Sequence, residues 1–180
     1  MQYGTGQLAD IAAIRAVARR YARGLDRLDP DLVRDAYWPD AIDEHGYFNG
    51  SAMDLVPLVI KSQSRWRSTM HCILNHMIDL EPDGRFARGE IVNVSYLFGP
   101  EQAGQEKTGQ EKTGPEAAGR ADGCCAIWWG RYLDRYEKRG DTWRIIHRVN
   151  VHDRTAMFDE SPMEFPLERF RDGAFDRGVA

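Results

Sequence analysis

Residues 66–80 read WRSTMHCILNHMIDL, and the alternation in this stretch decides the fold. A period of two puts His71, Ile73, Asn75, Met77 and Asp79 on one face, with Cys72, Leu74, His76, Ile78 and Leu80 on the other. That is the pattern of a β-strand. Residues 68–81 and 86–98 are then two long strands joined by the turn residues Pro82, Asp83 and Gly84. Residues 121–139 and 143–155 predict a second hairpin around Gly140 and Asp141. His71 stands near the start of the first strand, so the sheet holds its backbone and aims its ring. We read it as a base directed into a pocket, because an imidazole titrates near neutral pH and both accepts and returns a proton.

Upstream of these strands the period is that of a helix. Leu8, Ile11, Ile14, Val17, Tyr21, Leu25 and Leu28 are spaced by threes and fours, which predicts a helix over 7–27. Asp29 and Pro30 are the N-cap and first position of a short second helix through Tyr37, stopped by Pro39. Residues 40–48 are a short extended segment ending at Asn49 and Gly50, a turn signal. Ser51, with Asp54 three residues on, caps a third helix, and Pro57 predicts an irregular start to it. Helices first and strands afterwards describe an α+β domain in which a curved antiparallel sheet packs on three N-terminal helices. A sheet closing over helices leaves a mouth and encloses a pocket.

The composition bounds the function. With 180 residues the chain has the usual size of one domain, and 42% hydrophobic and 29% charged residues are an ordinary globular balance. A formal charge of −4 without a basic stripe argues against a nucleic-acid partner. The N-terminus lacks a basic segment ahead of an apolar core, and no apolar run reaches the roughly 18 residues of a membrane span. A cytoplasmic protein without a membrane partner is expected. Cys72, Cys124 and Cys125 give no disulfide framework, and the five histidines have no metal-ligand spacing, so no metal site is expected. His71 and His76, five apart, fall on opposite strand faces by alternation.

Between the hairpins, residues 99–122 contain the tandem repeat GQEKTGQEKTG. So few apolar residues do not offset ordering entropy, and a mobile loop is expected. The domain is taken as 1–155, with 156–180 as a tail whose Phe158, Phe165, Phe170 and Phe175 suit a pocket mouth or a neighbouring subunit.

Three segments, YARGLDRLDPDLVRDAYWPDAIDEHGYFNG, STMHCILNHMIDL and RYLDRYEKRGDTWRIIHRVNVHD, together resemble the SnoaL-like family of the nuclear-transport-factor-2-like superfamily. The resemblance covers most of residues 7–155 and implies a cone-shaped α+β fold around a pocket. The family includes hexachlorocyclohexane dehydrochlorinase, scytalone dehydratase, bile acid dehydratase and polyketide cyclases. Its dehydrochlorinase-like members pair an aspartate near the end of the first helix with a histidine at the start of the first long strand, positions that Asp26 and His71 match. The last-strand arginine of such members corresponds to Arg148. Tyr21 stands where the dehydrochlorinase has a lysine, and a tyrosine there is similar to the dehydratases, which hold a substrate oxygen with tyrosines.

The resemblance implies a division of labour. Asp26 would fix the tautomer of His71, while Arg148 and Tyr21 would stabilise developing negative charge. An aspartate at a helix C-terminus opposes the helix dipole, which itself favours a special role for Asp26. Substrate-binding candidates are Trp129, one of two adjacent tryptophans of which one should line the pocket, Asn150 on the polar face of the last strand, and His45 in DEHG near the mouth. The aromatic content suits a small hydrophobic cyclic substrate. The expected activity is a cofactor-independent lyase or isomerase, dehydration first, in a homodimer or homotrimer. The alternatives are a ligand-binding or assembly domain similar to the small subunit of ring-hydroxylating oxygenases, and a polyketide cyclase or epoxide hydrolase.

Overall fold

A computed structural model describes residues 3–99 and 123–159. Three helices, α1 (Thr5–Asp26), α2 (Pro30–Asp35) and α3 (Ala52–Gln63), pack on one face of a six-stranded sheet. The strands are β1 (Tyr37–Glu44), β2 (Asn49–Ser51), β3 (Ser68–Leu80), β4 (Phe86–Phe98), β5 (Cys124–Arg139) and β6 (Thr142–Asp159). Their order is β2-β1-β6-β5-β4-β3, antiparallel except where β1 runs parallel to β6, so β3 is an edge. The α+β class and the curled, helix-packed sheet are as expected.

The local signals act as their chemistry requires. Asp29 Oδ1 accepts from the backbone N–H groups of Asp31 and Leu32 at the start of α2, and Ser51 Oγ accepts from that of Met53 in α3. Pro57 lies within a continuous α3 rather than disturbing its start. Gly84 at φ +68 and Gly140 at φ +60 take the left-handed conformation that closes the two hairpins. Ile14, Val17, Tyr21 and Leu25 of α1 bury against the sheet, whereas Leu8 remains exposed. Asp10 holds the helix over the far end of the sheet by accepting from Lys138 Nζ and Trp143 Nε1, each at 2.8 Å.

Bulges in β3 and β6 overturn the simple alternation. In β3, Ile73 pairs with Asn93 and His76 with Ile91, so Leu74 and Asn75 both stand opposite Val92, and both are exposed. The extra residue returns His76 and Ile78 to the face of His71. The two histidines therefore share a face, contrary to the alternation. In β6 the bulged residue is Ile146, which brings Trp143 and Ile145 onto the helix-covered face with Arg148 and Asn150. Asp153 is a second bulged residue of β6, and the strand continues to Asp159, past the expected domain boundary at 155. The repeat loop from residue 100 onward and the tail from residue 160 lie outside the described residues.

Candidate active site

The C-terminal end of α1 lies against the start of β3, and there the two elements meet through one carboxylate. Asp26 Oδ1 stands 2.6 Å from His71 Nδ1. Asp26 also accepts the backbone N–H of His71, at 3.0 Å from Oδ2, and the hydroxyl of Thr69 at 3.0 Å. Because β3 is an edge strand, the His71 N–H points away from β4, and the helix carboxylate takes the place of a neighbouring strand. With Nδ1 donating to Asp26, the imidazole presents Nε2 as its free basic nitrogen. The ring is 5% exposed and the carboxylate 19%, so the pair is shielded but reachable. A cavity of about 340 Å³ opens on it, lined by Arg19, Ala22, Arg23, Asp26, Arg27, His71 and Ile73.

The other expected catalytic residues are elsewhere. Arg148 is fully buried, with Nε on Asp134 Oδ1 and Nη2 on Asp134 Oδ2, each at 2.7 Å. Its guanidinium lies 4.3 Å from the ring centre of Tyr21 and 4.1 Å from that of Tyr132. Burial opposes its charge, but Asp134 and the adjacent tyrosines outweigh that and hold it firmly protonated. Tyr21 is buried beside it, 5.8 Å ring to ring from both Tyr37 and Tyr132, and its hydroxyl has no hydrogen-bond partner among the described residues. Burial pushes the phenols of Tyr21, Tyr37, Tyr132 and Tyr136 up. Neither Arg148 nor Tyr21 lines the cavity of His71. The reason is steric: Tyr21 meets Tyr37 and Tyr132 edge-on, and together with the Arg148 guanidinium the three rings occupy the interior that an open pocket would need.

His45 and Asn150 come together, but at the β1 and β6 side. His45 Nδ1 lies 3.1 Å from Asp43 Oδ1, and its Nε2 is 3.1 Å from Asn150 Nδ2. Asp43 is fully buried and accepts the Tyr37 hydroxyl at 2.6 Å. Trp129 pairs with Val94 and alternates outward, whereas Trp128 packs on His152 at 4.4 Å between ring centres. Trp128, not Trp129, thus occupies the inner face. His76 lies farther along β3, its Nε2 3.4 Å from the Tyr136 hydroxyl, and burial lowers its pKa to about 4. Among the described residues no group of three or more His, Cys, Asp or Glu side chains is placed to hold a metal ion. No described helix is long and apolar enough to cross a membrane.

Sequence reasoning passed over Arg19, Arg23 and Arg27, although their spacing of four beside Asp26 places them on one helix face. It also missed Asp134 and Asp43, for which pairing across strands supplies the only signal.

Helices packed on a curled, unclosed six-stranded sheet define the cone of the nuclear-transport-factor-2-like superfamily. Within it, the chain belongs to the SnoaL-like domain family, which matches residues 6–149. Among solved structures, hexachlorocyclohexane dehydrochlorinase from Novosphingobium barchaimii is similar at 18% identity and a TM-score of 0.64, over 89% of this chain and 97% of that one. A scytalone-dehydratase-like protein from Novosphingobium aromaticivorans gives 18% and 0.63, over 87% and 91%. A protein of the same organism described as an aromatic ring hydroxylase gives 15% and 0.65, over 87% and 96%. At these identities the likeness is one of fold. Among curated proteins none matches.

Proposed function

We propose that the protein is a cofactor-independent lyase of the dehydratase type acting on a small cyclic substrate. His71 Nε2 takes a proton from a carbon next to an activating group, and the electron pair of that C–H bond becomes the new double bond. The C–O bond on the neighbouring carbon breaks, and the departing hydroxide takes a proton from the imidazolium and leaves as water. Asp26 keeps Nδ1 protonated and stabilises the imidazolium between the two transfers. The observation that carries this is the 2.6 Å contact of His71 Nδ1 with Asp26 at the wall of an open cavity. Arg148 has no place in the step, since both of its facing donors are committed to Asp134. The dehydratases and dehydrochlorinases named among the similar structures are consistent with the proposal.

The test is solvent-deuterium incorporation next to the carbonyl, and enone formation, with cyclic β-hydroxy ketones as probes. Turnover should fall on the order of a hundredfold to ten-thousandfold in His71→Ala and Asp26→Asn. Undiminished turnover in either variant removes the pair from the mechanism.

A further inference from the structure

The cavity at His71 is a basic cleft, which the chain's overall charge of −4 does not suggest. Its lining contains Arg19, Arg23 and Arg27 against one carboxylate, Asp26, and only Ala22 and Ile73 are apolar. Arg19 and Arg23 are successive positions of an i, i+4 row on α1, Arg15 extends the row by one turn, and Arg27 is the C-cap residue that follows the helix. Arg15 and Arg19 also act electrostatically on His76, disfavouring its charged form, and α1 packs on the strand that carries it.

Two bland explanations fall short. Basic residues in the last turn of a helix are favoured by its dipole, which accounts for Arg23 and Arg27 but not for Arg15 or Arg19 farther in. Surface arginines commonly serve ion pairs, and several here do: Arg20 with Asp35, Arg34 with Asp31, Arg131 with Asp153 and Arg139 with Asp40. Arg15, Arg19 and Arg23 meet no carboxylate among the described residues. Like charges four apart repel along a helix, so this row works against α1 itself. Arg15, Arg19 and Arg23, without a carboxylate partner among the described residues and repelling one another along the helix, form a row that borders the candidate base and fits a role in binding an anion.

We infer that the substrate carries an anionic group, a carboxylate or a phosphate ester, held by Arg19 and Arg23 at the rim while its reacting carbon lies at His71. The inference rests on the assignment of this cleft as the substrate site. The arginines are about one helical turn apart, roughly 6 Å along the axis, so a single oxyanion group can be shared between their forks. The acid is therefore a handle remote from the bond that breaks, and the ring it bears faces Ala22 and Ile73.

Binding is read without turnover. The full chain is titrated with cyclohexanecarboxylate, cyclohexyl phosphate and the neutral cyclohexanecarboxamide, following the Ile73 methyl and His71 ring signals by NMR. At least one anion should shift these signals and bind about tenfold more tightly than the amide, with the preference falling as salt is raised. The stronger of the two anions tells planar from tetrahedral recognition. In Arg19→Gln/Arg23→Gln, whose substitutions are on the exposed side of the helix, the preference should collapse to within about twofold, and Arg19→Lys/Arg23→Lys should restore part of it. Equal binding of amide and anion, a preference that survives the double Gln variant, or no shift up to about 10 mM of any probe overturns the inference. His71→Ala separates the two proposals: it abolishes proton abstraction yet keeps the anion preference if the handle is real.

Discussion

Arg148 lies bidentate on Asp134 across the β5–β6 ladder, two 2.7 Å contacts between side chains that are both without solvent exposure. Tyr136 adds a 2.6 Å hydrogen bond to Asp134 Oδ2, and Tyr37 links Arg148 to Asp43. The charges are thus embedded in a hydrogen-bonded interior, where removing one partner leaves the other desolvated and uncompensated.

Asp134→Asn should therefore destabilise the fold by about 3 to 5 kcal/mol, measured by urea denaturation. Replacing both partners by apolar residues, as in Arg148→Met/Asp134→Leu, should cost clearly less than the single change. A single variant as stable as the parent would show that Arg148 finds another partner.

The buried Tyr21 hydroxyl, lacking a partner among the described residues, makes the opposite prediction. Tyr21→Phe removes an unsatisfied polar atom while keeping the ring against Arg148, Tyr37 and Tyr132. Stability should be unchanged or rise by up to about 1 kcal/mol in thermal denaturation, with turnover kept. A large loss of turnover at unchanged stability would return Tyr21 to the reaction.

His76 sets a pH dependence. Burial lowers its pKa from the usual 6.5 to about 4, with Asp134 opposing and Arg15, Arg148 and Arg19 reinforcing the shift. The unfolded chain then binds the proton more readily than the folded one between these values. The stability from this group is complete above pH 6.5 and is lost as pH falls toward 4. The melting temperature should drop over that interval, and His76→Gln should flatten the part of the slope due to this residue. An identical pH profile in the variant would assign the acid sensitivity to other groups.

Much of the fold was legible in the chain order of its periods. The spacing of Ile14, Val17, Tyr21 and Leu25 marks α1, Asp29 and Ser51 mark the starts of α2 and α3, and Gly84 and Gly140 mark the hairpins, because capping and left-handed turns depend on residues adjacent in sequence. Asp26 and His71, matched through the family resemblance, do come within hydrogen-bond reach. Alternation failed at Leu74–Asn75 and at Ile146, since a bulge is a property of two paired strands and leaves no mark on one. It was those bulges that put His76 on the face of His71 and brought Ile145 beside Arg148.

By itself, then, the sequence determined the elements, their order and the helix-on-sheet class, all products of short-range geometry and hydrophobic period. Only the tertiary structure decided that Arg148 is spent on Asp134, that Trp128 rather than Trp129 turns inward, and that the arginine row of α1 borders His71. Each of these depends on which side chains from distant segments compete for one volume or one carboxylate, and that competition exists only once the sheet has curled against α1.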